Sequence, residues 1–258
     1  IEEIKVSVKQ GQIITKSFII TNQENKNINI NVQELKIEDL ILVEEQNFTL
    51  RTGESKIISF DIFAREDTLP RLYLGKVIIS SESTKKELLV GIEVESKKPL
   101  FDVKAEIPER FRYTMPGEEL FANIEIYNLG ELEQEVDVFI EYKLMDFNGK
   151  EIYSDQETLA VFTKINFLKS FKIPEDAHFG KYVIYVRTTY DDKIGSASVW
   201  FNVGKKPSIP LTEGAIAVAI VLIIAILIVI YKIRKIKKHL NVSYRVDKNA
   251  LKRAIIKR

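Results

Sequence analysis

The residues that could do chemistry are few, and they lie in turns. His178 stands in the loop Glu175-Asp176-Ala177-His178-Phe179-Gly180, and it is the sole histidine ahead of His239. A histidine beside two carboxylates could orient a substrate or ligate a metal. A zinc site, however, draws on further His or Cys ligands, and the chain has two His and no Cys. The same count excludes disulfides, thiol nucleophiles and iron–sulfur clusters. A solvated loop residue is the simpler account of His178. Calcium takes oxygen ligands from loops, and Glu175-Asp176, the Asp191-Asp192 turn and the run Glu131, Glu133, Glu135 are its candidates. None is set in a D-x-D/N-x-D/N-G loop. Asp191-Asp192-Lys193 reads as a hairpin turn, and the alternating glutamates read as an exposed strand edge that resists aggregation. No G-x-S-x-G, H-E-x-x-H, G-x-x-x-x-G-K-S/T or G-x-G-x-x-G occurs. Sandwich-loop glycosidases line a cleft with aromatics, whereas the single Trp200 falls in an alternating strand as a core residue. The expectation is a non-enzymatic chain with no catalytic, cofactor-binding or metal residues. One modification signal stands out: Asn47-Phe48-Thr49 is an N-x-T sequon.

The elements that carry these turns have a period of two. SFIITN (17–22), INVQEL (30–35), KIISFDIF (56–63), LLVGIEV (88–94), FANIEIYN (121–128), VDVFIEYKL (136–144), KYVIYVRT (181–188) and SASVWFNV (196–203) alternate apolar and polar residues. Turn clusters such as NQENKN, RTGES, NLGE and DFNGK separate them. Short strands at this spacing predict an antiparallel sandwich or barrel. IEDLILVEE (37–45) fits either a helical turn or a strand.

An internal repeat sets the domain size. Gly11–Asn22 (GQIITKSFIITN) and Gly117–Asn128 (GEELFANIEIYN) match at an offset of 106, each running from a Gly turn through a strand to a closing Asn. Glu66-Asp67 precedes Tyr73 as Glu175-Asp176 precedes Tyr182, at an offset of 109. A repeat of that length is one sandwich domain rather than a solenoid unit. Residues 1–97 are therefore read as a first sandwich and 98–204 as a second. Tyr73 and Tyr182 are candidates for a structural tyrosine corner, in which the ring packs at the sandwich end and the hydroxyl satisfies a loop carbonyl.

These motifs carry a resemblance. The stretch from Phe48 to Val94, with Gly53-Glu54-Ser55, Glu66-Asp67-Thr68, Pro70, Tyr73 and Gly75, resembles the Ig-like domain associated with bacterial α-galactosidases and similar archaeal surface domains. Residues 100–203 are similar to CARDB-type adhesion domains through Pro116-Gly117-Glu118, Asn128-Leu129-Gly130, Pro174-Glu175-Asp176 and Gly180-Lys181-Tyr182. The resemblance implies a prokaryotic, surface-displayed spacer, adhesion or assembly module, and it transmits no catalytic residues.

After a juxtamembrane linker at 205–213, residues 214–231 read GAIAVAIVLIIAILIVIY, without charge or proline. With the flanking residues, that run matches the length of a single transmembrane helix, about 30 Å at 1.5 Å per residue. Lys232, Arg234, Lys235, Lys237 and Lys238 follow at once, so the positive-inside rule puts the tail 232–258 in the cytoplasm and the sandwiches outside. An outward N-terminus needs export, so a cleaved signal peptide is expected upstream. The tail holds 11 basic residues and one acid. Removing them from totals of 38 and 37 leaves 27 and 36, so a net charge of +1 hides −9 outside and +10 inside.

The fold expected is thus all-β: two tandem Ig-like antiparallel β-sandwiches followed by a single transmembrane α-helix at the cell membrane. The basic tail reads as a topology signal, as an amphipathic segment on anionic lipid (Leu251, Ala254 and Ile255 share helical spacing), or as a binder of acidic partners. Nucleic acid is disfavoured because the tail's only aromatic is Tyr244. The expected partners are membrane lipid through 214–231 and proteins at the cell surface or in a membrane complex. The alternative is a glycan-binding or accessory subunit of a carbohydrate-active or secretion complex, using loop aromatics such as Phe111, Tyr113 and Phe179.

Overall fold

A computed structural model of the chain describes residues 3–130, 135–206, 226 and 229–232. Residues 1–206 form one compact unit, and the remainder of the chain forms another. The first unit is built almost wholly of strands, because its period-two segments each offer one apolar row to a core.

In the first half the strands are β1 (Glu3–Lys9), β2 (Ile13–Thr21), β3 (Ile28–Leu35), β4 (Ile41–Val43), β5 (Asn47–Leu50), β6 (Ser55–Phe63), β7 (Arg71–Ser80) and β8 (Lys85–Glu95). They make a five-stranded sheet in the order β1-β8-β7-β3-β5 and a three-stranded sheet in the order β2-β6-β4. Val6, Val8, Val32, Phe60, Ile62 and Ile92 are among the side chains buried in their common core. The segment 37–45 resolves into both of its sequence alternatives. A turn closes through Leu40 N–H to the Ile37 carbonyl at 3.0 Å, and β4 follows.

The second half repeats the plan with β9 (Phe101–Glu106), β10 (Tyr113–Thr114), β11 (Glu119–Asn128), β12 (Val136–Asp146), β13 (Glu151–Val161), β14 (Lys164–Lys172), β15 (Gly180–Tyr190) and β16 (Lys193–Val203). Its sheets run β10-β16-β15-β12-β13 and β14-β11-β9. Phe101, Ile124, Ile126, Tyr142, Phe171 and Phe201 lie in its core. The repeat survives in backbone detail. Gly11 and Gly117 have φ of 81° and 82°, a left-handed turn that favours glycine. Their amides donate to Ala64 and Ile173 carbonyls at 2.7 and 3.0 Å.

The expectation of purely antiparallel sheets needs correction. β1 pairs parallel with β8, and β10 pairs parallel with β16. The Gly11 turn carries the chain from β1 across to β2 in the opposite sheet. That leaves β1 on the flank of its own sheet, beside a last strand running the same way.

The segment 214–231 lies mostly outside the described residues. Ile226 and residues 229–232 are helical and exposed. Among the described residues, no helix is long and apolar enough to cross a membrane. Arg234, Lys235, Lys237 and Lys238 also lie outside the described residues.

Candidate interaction site

The residues singled out by sequence are spread over the surface. His178, Glu175 and Asp176 are exposed. An open cleft of about 700 Å³ reaches His178, Asp176, Phe179, Asp146 and Lys181. Among the described residues, no three His, Asp or Glu side chains are grouped to hold a metal ion. Glu131 and Glu133 lie outside the described residues; Glu135 is exposed. Asp191 adopts a positive φ of 50° in the β15–β16 hairpin, where Lys193 pairs with Asp192 at 3.0 Å. Asn47 opens edge strand β5 and accepts a hydrogen bond from Asn31 Nδ2 at 2.8 Å. Tyr73 Oη donates to the Leu69 carbonyl at 3.0 Å, and Tyr182 Oη donates to the His178 carbonyl at 2.9 Å. Phe111 packs on Phe121 with ring centroids 5.1 Å apart. Tyr113 pairs with Asn202, and Phe179 is the exposed neighbour of Gly204, so these two flank the end of β16.

Trp200 does not sit in a sandwich core. It lies half-buried in a seam where the outer face of the β7–β8 sheet meets that of the β15–β16 sheet, with Leu72, Leu74, Leu89, Phe147, Val183 and Tyr185. Its ring meets Phe147 edge-on at 4.7 Å. The seam also holds a buried carboxyl group. Glu93 is 6% exposed and accepts hydrogen bonds from Ser196 and Ser198 hydroxyls, both at 2.8 Å. Burial raises its carboxyl above the ordinary carboxylate range, against the pull of the two hydroxyls and Lys5. The stem of Lys5 is exposed, but its ammonium turns in to the Ser198 carbonyl. Desolvation lowers its pKa, opposed by Glu93. Lys181 and Glu3 form an ion pair across the halves. The seam joins the two cores side by side, and it fixes which faces remain open.

One open face is unusual. On the outer side of the β2–β6–β4 sheet, Ile13, Ile19, Ile57 and Leu42 are 69, 67, 65 and 62% exposed. Ile19 and Ile57 are directly opposite each other across β2 and β6. At the matching place in the second half stand Glu125 and Asn166, hydrogen-bonded at 3.3 Å, with Lys164 pairing Glu125 at 3.3 Å. A polar pair therefore occupies this position in the other half, and among the described residues nothing covers the apolar pair.

The edge of the same sheet differs too. In the second half, β9 covers β11 from Asn123–Glu106 to Asn128–Phe101. Among the described residues, no strand pairs with the corresponding edge of β2. The effect shows in burial. Leu120, Ala122, Ile124 and Ile126 are fully buried, whereas their counterparts Ile14, Phe18 and Ile20 are half-exposed and Lys16 is exposed.

No protein-family model and no curated protein matches the chain. Among solved structures, a protein of unknown function from Porphyromonas gingivalis W83 aligns at 11% identity and TM-score 0.40, over 74% of this chain and 94% of its own. The Pseudomonas aeruginosa CupB2 chaperone aligns at 9% and TM-score 0.29, over 77% and 97%. A PapD-like domain of human CEP192 aligns at 8% and TM-score 0.30, over 38% and 83%. These scores stay below 0.5, and the β-sandwich architecture stands on the sheets and cores themselves.

Proposed function

We propose that the chain is a non-enzymatic, membrane-anchored module with its two Ig-like sandwiches outside the membrane, acting in adhesion or assembly through protein–protein contact on the β2–β6–β4 face. The observation that carries this is the exposed Ile19–Ile57 pair where the other half has Glu125 and Asn166. An apolar patch on a rigid sheet gains free energy by leaving water, at roughly 25 cal/mol per Å². The uncharged run 214–231 and the basic residues after it support anchoring with the tail in the cytoplasm. The test places a photocrosslinking residue at Ile57 in the full chain in native membranes. A specific protein adduct at Ile57, absent from the same probe at exposed Asn166, supports the reading; equal labelling at both positions overturns it. Protease added to intact cells must degrade the sandwiches if they lie outside.

A second reading, a glycan-binding accessory subunit, is favoured by the cleft of about 700 Å³ that combines Phe179 with His178, Asp176 and Lys181. It requires that the full chain bind a glycan array and that Phe179→Ala remove the signal.

A further inference from the structure

We infer that the free edge of β2 takes an extended segment of a partner protein as an added antiparallel strand, doing for the first half what β9 does within the second. The inference deepens the protein-contact reading and rests on it.

The second half supplies the template. There Phe101 pairs opposite Asn128 and Val103 opposite Ile126, and both are buried in the core. The Phe101 ring stands 6.2 Å from Tyr190, edge-on. Applying the two repeat offsets, Asn128 maps to Asn22, Ile126 to Ile20 and Tyr190 to Ser81. At those mapped residues lies an open groove of about 220 Å³, bordered by Ile20, Asn22, Ile79 and Ser81. It is the place that the Phe101 side chain fills in the other half. Unpaired strand edges accept added strands because backbone groups already point outward, while alternate pockets select side chains.

The chemistry of the occupant follows. It is extended, runs antiparallel to β2, and presents apolar residues opposite Asn22 and Ile20. Lys16 takes the inward-row position that Ala122 holds in the second half. A lysine there guards the bare edge against indiscriminate pairing, and it favours an acidic residue at the far end of the incoming strand. The chain's own first strand does not serve, because β1 is committed to β8 through seven residue pairs from Glu3–Leu89 to Lys9–Glu95. β9 is free for its role because β10 alone, with two pairs, takes the corresponding edge of β16.

The test uses the full chain in native membranes and in a form carrying an extra strand. The β9 sequence Phe-Asp-Val-Lys-Ala-Glu is fused ahead of Ile1 through a Gly/Ser linker of roughly 10 residues, whose reach is about 18 Å. Amide exchange at every second residue of β2 is expected to slow by about tenfold or more. The same extension with its Phe and Val replaced by Asp is expected to give no slowing. A photocrosslinker at Ser17 is expected to give a protein adduct that the apolar extension suppresses and the Asp version does not. Unchanged exchange with the apolar extension overturns the inference. So does an adduct to a second copy of this chain, or one that the extension leaves intact. If the Ile57 adduct persists while the Ser17 adduct is absent, strand addition fails and protein contact stands; if both are absent, the broader reading fails as well.

Discussion

Gly91 and Trp200 face each other so closely that a methyl group on Gly91 would stand 2.7 Å from Trp200 Cζ2. Each belongs to a different half, so their contact is a point of closure of the seam. Gly91→Ala is expected to destabilise residues 1–206 by about 1–3 kcal/mol, as overpacking does. The cost should shrink in a Trp200→Ala background, and a double-mutant cycle on urea melts reads that coupling.

The buried carboxyl of Glu93 gives the seam a pH dependence. Its folded pKa is raised above the ordinary 4.5, chiefly by desolvation. The folded state therefore holds a proton that the unfolded chain has already released. Stability from this group falls as pH climbs from about 4.5 through the raised value. Lys5, with its pKa lowered chiefly by desolvation, acts in the opposite direction, its contribution rising with pH. Glu93→Gln is expected to flatten the fall, measured as urea midpoints from about pH 4 to about pH 8.

Asn22 is fully buried, and its amide donates to the Lys26, Leu50 and Arg51 carbonyls at 2.8, 3.1 and 3.0 Å. Its repeat partner Asn128 is half-exposed and reaches the Phe162 carbonyl at 3.0 Å. Asn22→Ala strands the buried Leu50 carbonyl, loses the bonds to Lys26 and Arg51, and should cost about 2–3 kcal/mol. Asn128→Ala should cost about 1 kcal/mol or less. Thermal melts of the two variants give the order.

The two tyrosine hydroxyls make matching bonds, each to the carbonyl four residues before it, but in different surroundings. Tyr182 is buried and stacks on Phe201 with centroids 5.8 Å apart, whereas Tyr73 is half-exposed. Tyr182→Phe is expected to lose about 1–1.5 kcal/mol and Tyr73→Phe about 0.5 kcal/mol or less. Equal losses would show that burial does not set the value of this bond.

Exposed apolar residues that serve contact rather than folding should be replaceable without loss of stability. Ile19→Lys and Ile57→Lys are each expected to shift unfolding by no more than about 0.5 kcal/mol. Ile19→Lys should also weaken the protein adduct formed at position 57. A loss of several kcal/mol would mark the pair as structural.

Much of the sheet arrangement can be read from the period-two rows of β2, β3, β6, β11 and β12, and the repeat of Gly11 and Gly117 aligns the two halves. The seam is harder to see, although its traces are present. Leu88-Leu89-Val90 and Val183-Ile184-Tyr185-Val186 break the alternation, as strands buried on both faces do. Gly91 inside a strand marks a close approach. Glu93 looks like one more outward polar residue, because no local pattern reveals that a second sheet will cover it. Parallel pairing of β1 escapes for the same reason: a strand's own residues say which row is apolar, not which neighbour it lies beside. The open face is legible only by setting Ile19 and Ile57 against Glu125 and Asn166. That comparison requires the register.

The parallel first-to-last pairing also has a mechanical meaning. In the first half, the strand nearest the start of the chain lies alongside the strand nearest its end, whereas the second half opens with β9, which pairs antiparallel with β11. Tension across the first half therefore loads the β1–β8 pairing in shear, so that its hydrogen bonds must yield together rather than peel one at a time. Seven residue pairs bear the load between β1 and β8.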